Sequence, residues 1–464
     1  MNHSYSSCLC VFKLVHTNMA SNSLFSQLPG HLFKALVTIT VLAIPCSYAQ
    51  RDASTPPGFG PAPQLPLPQH SVIPTVNIAP AKGWPAGVIP KAAEGLKVVA
   101  FARDLDHPRW IYVLPNGDVL VAESNAPTKA DGGGIRAMIM GFFQKRAGAG
   151  TVSANRITLL RDTDGDGVAD VRTVFAEGLN SPFGMTLAGE TFYIANTDAI
   201  MKFAYSAGAT ALTTSGTKLV DLPAGTINHH WTKNVIANAD GSKLFVTVGS
   251  NSNVGERGEA AEVGRASIWE VEAHTGRHRV FASGLRNPNG MAWVPSSNLL
   301  WTVVNERDEL GNDLVPDYLT SVRDGAFYGW PYSYFGQHVD IRVTPARPDL
   351  VATALPPDYG LGAHTAPLGL AWSQGAALPS KYSGGMFIGQ HGSWNRRPHS
   401  GYKVIFVPFK DGQPNGLPSD VLSGFLSDEG TAYGRPVGVA VDKSGGLLVA
   451  DDVGNVVWRV SASK

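Results

Sequence analysis

The chain is poor in cysteine, and this excludes several kinds of chemistry. Its three cysteines, Cys8, Cys10 and Cys46, all lie within the first fifty of its 464 residues. The rest of the chain can therefore build neither a disulfide framework nor a thiol-based site. Fold stability and any activity must come from core packing and from oxygen and nitrogen side chains.

Long apolar runs are also scarce. The run at residues 35–45 (ALVTITVLAIP) is too short to cross a bilayer, but it has the length of the apolar part of a signal peptide. Lys34 precedes it, and residues 47–49 (SYA) fit a small-x-small cleavage site. We predict an export signal over residues 1–49, the alternative being a folded N-terminal helix. The mature protein is then expected to be periplasmic or secreted, with no membrane span.

An excess of charge is absent as well. Residues 1–49 hold two lysines and no acid, so the remaining chain carries 35 basic and 37 acidic residues, a net charge of −2. A nucleic-acid partner is not expected for such a balance, because binding to phosphates needs a basic surface.

Composition divides the rest of the chain into two parts. Residues 50–93 are rich in Pro, Ala and Gly, which favours extended backbone and cannot build a core, so we predict a linker there. Residues 94–464 are predicted to form one domain. With 51 Gly, 32 Pro and no long amphipathic helical pattern, an all-β fold is favoured.

One pattern occurs six times after residue 100. A short apolar run is followed by a turn of Gly, Asn, Asp or Ser and then by a second apolar, β-branched run, which is typical of a β-hairpin. The spacing stays near the length of a four-stranded propeller blade, so we predict a six-bladed β-propeller with antiparallel blades. The copies are residues 108–124, 182–197, 231–250, 287–306, 366–394 and 435–453.

The residue at or just before the first run of each copy should lie at one mouth of the central channel. The second copy contributes only a proline there, so a site is expected to lie toward copies three to six. These residues are Arg109, Pro182, His230, Arg286, His364 and Arg435.

Two of these positions carry side chains suited to catalysis. Adjacent histidines on a regular strand point to opposite faces, and counting back from the apolar run favours His230 over His229 for the channel face. A histidine there can accept a proton near neutral pH, the alternative being a structural imidazole. Arg286 and Asn287 place a guanidinium beside an amide, which suits an anionic or quinoid oxygen. Closure of a loop by the arginine is the alternative.

Two acidic segments are candidate Ca²⁺ loops. Residues 306–313 (ERDELGND) place four acids in a loop with Gly and Asn, the alternative being a solvated turn. A second loop has oxygens at positions 1, 3, 5 and 9 and Gly at position 6, but no acid at position 12. A structural ion or a tight turn would both explain it. Its acids are Asp162, Asp164, Asp166 and Asp170.

These residues resemble the glucose/sorbosone dehydrogenase family across nearly all of residues 95–462. The resemblance rests on His230, on residues 286–290 (RNPNG), on the acidic loop and on residues 329–331 (GWP). Residues 391–396 (HGSWNR) are similar to the sorbosone-type branch. The family binds pyrroloquinoline quinone (PQQ), so the resemblance implies a quinone at the channel mouth, held by Ca²⁺ and by basic groups that pair with its three carboxylates.

The resemblance also implies an activity and residue roles. A sugar or sugar-derived aldehyde, such as sorbosone or an aldose, would be oxidised by hydride transfer to the quinone, with a cytochrome, quinone or dye as external electron acceptor. His230 would be the general base, while Arg286 and Asn287 would contact cofactor oxygens and stabilise developing charge. The protein would orient and polarise, and the cofactor would do the redox chemistry.

Further cofactor contacts and the metal ligands follow from the same resemblance. The family's metal loop offers carbonyls at a Gly-Pro pair, whereas this chain has Asp308 and Glu309 there. We expect Asp308 and Asp313 as ligands, with a carbonyl of Glu309 as a further one. Each of the cofactor-contact candidates has a structural alternative, as a surface charge, loop residue or packing group. They are Arg109, Lys233, Trp330, His364, Arg396 and Arg435.

Two other function classes remain open on the sequence. Six-bladed propellers also serve as Ca²⁺-dependent lactonase-type hydrolases, and as non-catalytic modules that bind carbohydrate or protein, because a fold does not determine a function. A histidine and several arginines at one mouth favour the tricarboxylate cofactor over both. Sugar selectivity is expected in the long loops at residues 126–153 and 335–362.

Overall fold

The computed structural model describes the chain at residues 56–69, 75–127, 146–148, 150–295 and 297–463. The predicted export signal lies outside these residues. They belong to a compact unit spanning Ser54–Lys464. No helix in the described part of the chain is long and apolar enough to cross a membrane.

The described residues form seven sheets, of which six each contain the four antiparallel strands of a propeller blade and one is the two-stranded pair of Ser333–Tyr334 with His338–Val339. The first three strands in the described part of the chain are β1 (Phe59–Gly60), β2 (Lys91–Ala92) and β3 (Leu96–Ala102). Blade 1 contains β4 (Pro108–Val113), β5 (Val119–Glu123), β6 (Arg156–Arg161) and β7 (Val171–Ala176). Blade 2 contains β8 (Met185–Ala188), β9 (Thr191–Ala195), β10 (Ala199–Ala204) and β11 (Thr217–Asp221). Blade 3 contains β12 (Val235–Ala237), β13 (Lys243–Val248), β14 (Ser267–Glu272) and β15 (His278–Ser283).

The second half of the ring repeats this order. Blade 4 contains β16 (Pro288–Val294), β17 (Leu299–Val304), β18 (Pro316–Val322) and, after the pair β19 (Ser333–Tyr334) and β20 (His338–Val339), β21 (Tyr359–Ala363). Blade 5 contains β22 (Pro367–Trp372), β23 (Gly385–Gln390), β24 (Lys403–Lys410) with β25 (Gln413–Pro414) beside it, and β26 (Ser419–Ser423). Blade 6 contains β27 (Pro436–Val441), β28 (Leu447–Asp451) and β29 (Val456–Ala462). Helical turns occur at Glu259–Glu262, α1 (Pro348–Val351) and Ser380–Tyr382.

The predicted six-bladed propeller is confirmed. Each of the six hairpins is the inner strand pair of one blade, for example β4 with β5 and β27 with β28. Strands such as β5 and β23 are buried along their whole length because neighbouring blades cover both faces. Their near-continuous apolar sequence follows from that double burial. The core therefore lies between blades, as where Trp301 of blade 4 and Ile388 of blade 5 share one cluster.

The ring is closed by a strand that precedes all the hairpins. Strand β3 pairs with β29, with Leu96 opposite Ala462 and Val98 opposite Val460. Blade 6 thus joins residues from both ends of the domain. This pairing holds the first and last blades together through backbone hydrogen bonds.

The described residues of the segment predicted as a linker lie against the propeller. Strand β1 pairs with β21 of blade 4, and β2 pairs with β26 of blade 5. Trp84 packs edge-on against Phe425 and Trp458. An extended Pro-rich backbone needs no core of its own when it lies along sheet edges and inserts an aromatic side chain into a neighbouring cluster.

Trp84 also bonds to a buried carboxylate. Its indole N–H donates to Asp451 Oδ2 at 2.6 Å, and the indole of Trp458 donates to the same oxygen at 3.0 Å. Backbone N–H groups of Arg435 and Gly454 donate to Oδ1 at 2.8 Å. Burial nevertheless raises the pKa of Asp451 to about 6. The carboxylate links the Pro-rich segment to the start and the end of the inner hairpin of blade 6.

Trp84→Phe is expected to lower the free energy of unfolding by about 1–3 kcal/mol. The phenyl ring keeps most of the aromatic packing but removes one donor to a buried carboxylate, which is the cost typical of losing a hydrogen bond to a charged group. Urea unfolding followed by fluorescence measures the change. Tyr433→Phe, which alters a ring 5.7 Å from Trp84, is the matched control and should change stability by less. Equal effects of the two changes would contradict the role given to the indole N–H.

Candidate active site

A cavity of about 490 Å³ lies at the channel mouth, where the segments preceding the inner strands of blades 3 to 6 meet. Blade 3 supplies His229 and His230, and blade 6 supplies Arg435. Blades 4 and 5 supply most of the remaining wall. Both histidines line the cavity because they lie in a turn ahead of β12, which begins at Val235, so the alternation of a regular strand does not apply to them.

His230 is held as a neutral proton acceptor. Its Nδ1 lies 2.8 Å from the carbonyl oxygen of Ser250. A carbonyl can only accept, so Nδ1 carries the proton and Nε2 keeps its lone pair. Burial lowers the pKa of His230 well below its ordinary value, and the neighbouring His229 and Arg286 lower it further. The imidazole is therefore neutral at neutral pH, with its one proton on Nδ1.

A glycine allows His230 and Asn287 to approach each other. A Cβ at Gly249 would lie 2.6 Å from the Cβ of His230 and 2.4 Å from Oδ1 of Asn287, so any larger residue would push the two side chains apart. Within the described residues, Oδ1 of Asn287 is buried and accepts no hydrogen bond. An amide oxygen is thus left available beside the histidine.

Arg286 is fixed in place by loop groups. Its Nη1 donates to the carbonyl of Glu306 at 2.8 Å, and its Nε donates to the carbonyl of Asn253 at 3.2 Å. Nη2 forms an ion pair with Asp308 at 3.2 Å. The guanidinium is buried and still lines the cavity. A charge held this way needs no rearrangement to stabilise a developing negative charge.

Asp308 and His364 form a charged pair in the same cavity. Oδ1 of Asp308 accepts a hydrogen bond from Asn395 at 2.8 Å and lies 3.4 Å from Nδ1 of His364. Burial acts to raise the pKa of Asp308, but His364 and Arg286 outweigh it and lower the pKa to about 2. Burial likewise opposes protonation of His364, yet Asp308 raises its pKa above the ordinary value. Nε2 of His364 bonds the Gly311 carbonyl at 2.9 Å, so both ring nitrogens are occupied.

Arg435 has hydrogen-bond donors to spare. Its Nη1 donates to the carbonyls of His391 and Gly392, each at 3.3 Å, and its guanidinium lies 4.8 Å from the ring centre of Tyr402. In the described structure Nε and Nη2 are buried without a partner, as is Oδ1 of Asn395. Buried polar atoms are costly when unpaired, and both residues line the cavity, so these groups are candidate partners for a polar ligand.

The three predicted ligands of an active-site Ca²⁺ point to different places. Asp308 lines the cavity, Glu309 pairs with Arg342 at 2.9 Å, and Asp313 pairs with Arg396 at 2.7 Å. The structure does not bring these carboxylates together around one point. Arg396, predicted to contact the cofactor, is thereby engaged outside the main cavity.

The second acidic loop partly gathers its side chains. Ligand atoms of Asp162, Asp164 and Asp166 lie within 4.8 Å of one another on the surface. Asp170 instead accepts hydrogen bonds from the backbone N–H and the hydroxyl of Thr163, at 2.5 and 2.6 Å. Three of the four predicted acids therefore share one place.

Two other predicted cofactor contacts lie behind the cavity. Lys233 is fully buried and donates to the carbonyls of Trp231 at 3.2 Å and His230 at 3.5 Å. Burial lowers the pKa of Lys233 well below its ordinary value. Trp330 is buried and donates its indole N–H to the Asn253 carbonyl at 2.9 Å. Lys233 thus supports the segment that carries His230, and Trp330 bonds the same carbonyl that accepts from Arg286.

Arg109 belongs to a buried charge cluster centred on Asp452. Its guanidinium is hydrogen-bonded to Oδ2 of Asp452, and Nε2 of His391 lies 2.9 Å from the same oxygen. His107 lies 3.6 Å away. His391 lines the cavity, so Arg109 acts on the site through Asp452 and His391.

Sequence reasoning missed several residues of the cavity wall. Asp317 lines the cavity and lies outside the acidic loop predicted at residues 306–313, whereas Glu306, also in the lining, belongs to that loop. Burial raises the pKa of Glu306 to about 8 and that of Asp317 to about 6. His391, Trp394 and Asn395 also line the cavity. Their motif was noted for its resemblance, and its His, Trp and Asn directly after a buried strand were the available signal. The apolar residues Val76 and Ile78 had no signal, because they lie in the segment expected to be a linker.

Solved structures with the same fold are dehydrogenases and related carbohydrate-active proteins. The holo form of the PQQ domain of pyranose dehydrogenase from Coprinopsis cinerea matches with a TM-score of 0.64 and 20% identity, over 83% of this chain and 100% of that one. A calcium structure of a Trichoderma reesei carbohydrate-active enzyme of family AA12 matches with 0.64 and 18%, over 84% and 100%. The PQQ-bound aldose sugar dehydrogenase of Streptomyces coelicolor matches with 0.52 and 16%, over 80% and 100%. At these identities the likeness establishes the fold.

Sequence comparison adds two curated relatives and a family. An uncharacterized protein of Borreliella burgdorferi is 29% identical over 245 residues, 52% of this chain and 63% of that protein. The aldose sugar dehydrogenase of Escherichia coli is 30% identical over 114 residues, 24% of this chain and 29% of that protein. The chain thus matches less than two thirds of either relative's length. The TrAA12-like family model matches residues 90–318 and 350–463. This is well over half of the chain, so the chain belongs to the TrAA12-like family.

Proposed function

We propose that the chain is a PQQ-dependent dehydrogenase that oxidises a sugar or sugar-derived aldehyde and passes electrons to an external acceptor. The observation that carries this proposal is the neutral His230, whose Nε2 has no hydrogen-bond partner among the described residues and which shares a cavity with the anchored Arg286 and with Arg435. We also propose residues 1–49 as an export signal, which would place the enzyme in the periplasm or outside the cell.

The cavity residues fit a quinone with three carboxylates. Arg435 offers two N–H positions that are unpaired among the described residues and match the planar geometry of a carboxylate. Oδ1 of Asn287 and of Asn395, also unpaired there, are acceptors that suit a hydroxyl or N–H group and not a carboxylate. Arg286 adds a fixed positive charge. When bound, PQQ would supply the hydride acceptor. Arg435, Arg286 and Asn287 would hold it.

The residues themselves account for the proton and the charge. Nε2 of His230 accepts the proton of the substrate hydroxyl, while Nδ1–H stays bonded to the Ser250 carbonyl and keeps the ring oriented. Arg286, held by the Glu306 and Asn253 carbonyls, stabilises negative charge that develops nearby. His364 is unsuited to the role of base because its two nitrogens face Asp308 and the Gly311 carbonyl.

No step of the proposed mechanism uses Ca²⁺. The carboxylates expected as ligands diverge, and both oxygens of Asp308 already face protein donors. A calcium ion in the active site and one in the loop of Asp162 stay predictions. Titrating Ca²⁺ into the protein with and without PQQ tests both.

Reconstitution tests the proposed function directly. The protein is mixed with PQQ, with and without Ca²⁺, and dye reduction is followed with glucose, sorbosone and other aldoses. An unchanged PQQ absorbance spectrum together with an unchanged melting temperature would refute the proposal. Hydrolysis of a lactone without PQQ would favour the hydrolase, and sugar binding without oxidation would favour a non-catalytic propeller.

The pH dependence of kcat is expected to have its acid limb below pH 6.5. Burial lowers the pKa of His230 from the ordinary value of 6.5, so the ring stays unprotonated, and able to accept a proton, at pH values where a free histidine would be charged. Steady-state kcat measured between pH 4.5 and 8 with a dye whose reduction is independent of pH provides the test. An acid limb centred above pH 6.5 would show that His230 is not the base in this form.

A further inference from the structure

We propose that residues 75–79 form a fixed apolar wall of the substrate site, which restricts the enzyme to single sugars and short aldehydes. This inference rests on the proposed function. The wall consists of Val76 and Ile78, which both line the cavity that holds His230 and Arg286. They come from the segment ahead of the propeller strands rather than from any blade.

Asn77 fastens this wall to the loop that carries His391 and Asn395. Its backbone N–H donates to the carbonyl of Trp394 at 2.8 Å, and its side-chain amide donates to the carbonyl of Arg396, also at 2.8 Å. Since Asn77 lies between Val76 and Ile78, these two bonds determine where the apolar side chains stand. The wall is therefore tied to the same loop that contributes His391, Trp394 and Asn395 to the cavity.

The residues that follow are held just as firmly. Ala79 is fully buried, and the carbonyl of Pro80 accepts a hydrogen bond from the N–H of Ala432 at 2.9 Å. Lys82 donates its N–H to the carbonyl of Ala432 at 3.0 Å, and Trp84 bonds Asp451. Displacing the wall would break several hydrogen bonds and expose an aromatic side chain. It is accordingly part of the site's shape and not a mobile cover.

The chemistry of the wall determines what it admits. Val76 and Ile78 offer no hydrogen-bonding side-chain group, so the hydroxyls of a second sugar ring placed against them would lose water without gaining a partner. The cavity of about 490 Å³ must also hold the quinone together with the substrate. Residues 335–362, all of which are described, do not line the cavity, although selectivity was expected there. The described part of the loop at 126–153 contributes Ala147.

Shortening both side chains tests the wall. In the double variant Val76→Ala with Ile78→Ala, we expect the ratio of kcat/KM for cellobiose to that for glucose to rise about tenfold or more, because differences of a few methyl groups in a pocket change specificity by this order. Isothermal titration calorimetry, as a readout independent of turnover, should show tighter cellobiose binding. Leu67→Ala is the matched control, since Leu67 is 87% exposed in the same segment and does not line the cavity.

The outcomes separate this inference from the proposed function. If the protein without substitutions oxidises no sugar in the presence of PQQ, the proposed function is wrong. If the protein without substitutions oxidises cellobiose as well as glucose, the proposal of an apolar wall is wrong. It is also wrong if the double variant keeps the same cellobiose-to-glucose ratio of kcat/KM and the same affinity for cellobiose. Asn77→Ala, which leaves both apolar side chains but removes the side-chain bond to the Arg396 carbonyl, should raise the same ratio by a smaller factor.

Discussion

Replacing His230 by alanine is expected to lower kcat by about 10²- to 10⁴-fold, which is the usual contribution of a general base. PQQ binding should persist, because the groups proposed to hold the cofactor are Arg286, Asn287 and Arg435. The fall in kcat is expected because Nε2 of His230 has no partner among the described residues, while Nδ1–H is bonded to the Ser250 carbonyl. Steady-state kinetics with a dye acceptor and a separate PQQ titration measure the two quantities.

His274→Ala is the matched control for this change. His274 lies exposed in the turn between β14 and β15, away from the cavity, and its loss should leave kcat and PQQ affinity unaltered. If the His230 variant kept its activity, the base would lie elsewhere. His364 would be examined next, although its contacts with Asp308 and Gly311 leave it without a free nitrogen.

Replacing Arg435 by leucine is expected to raise the Kd for PQQ by about 10- to 100-fold. Its Nε and Nη2 have no partner among the described residues and can donate to one carboxylate, and a hydrogen bond to a charged group contributes about 1.5–3 kcal/mol. Arg435→Lys retains the charge but not the planar pair of donors. The PQQ affinity of this variant should therefore fall between that of the protein without substitutions and that of Arg435→Leu. Fluorescence or absorbance titration of the cofactor measures all three.

A control variant and a stability measurement distinguish a lost PQQ contact from a loss of folded protein. Arg435 also bonds the carbonyls of His391 and Gly392, so the melting temperature without cofactor must be compared before affinities are. Arg277→Leu changes an exposed arginine that pairs with Glu272 in an outer turn, and it should leave Kd unaltered. An unchanged Kd in a folded Arg435→Leu variant would remove this arginine from the cofactor site.

The fold was predictable from the sequence because its main signal is local. Alternating apolar runs on both sides of a Gly or Asn turn specify a hairpin within about 20 residues, and six such hairpins with no long helical pattern leave few architectures. The closing strand, Leu96–Ala102, carried no such signal. Its partner strand ends the domain, and a pairing between distant segments cannot be read from local periodicity.

The site was predictable in part for the same reason. His230, Arg286, Asn287, His364 and Arg435 all line one cavity, since each stands at or near the start of an inner strand and the blade geometry brings those starts together. The same argument placed Arg109 at the mouth, but Asp452 holds its guanidinium. The position of a residue along a strand determines where its backbone lies. The hydrogen-bond and ion-pair partners of a long side chain determine where its charged end lies.

The six hairpins, the propeller ring that they form and the residues at the mouth of its channel could all be predicted from the sequence. Turn chemistry and the spacing of apolar residues act over short distances, so both can be read locally. Only the tertiary structure decided which of those residues face the cavity and what completes it. Asp308 and Asp313 separate because Arg286 and Arg396 attract them to different places. Val76 and Ile78 reach the site because Asn77 donates hydrogen bonds to two carbonyls more than 300 residues away in the sequence. These bonds can form only when the ring is assembled.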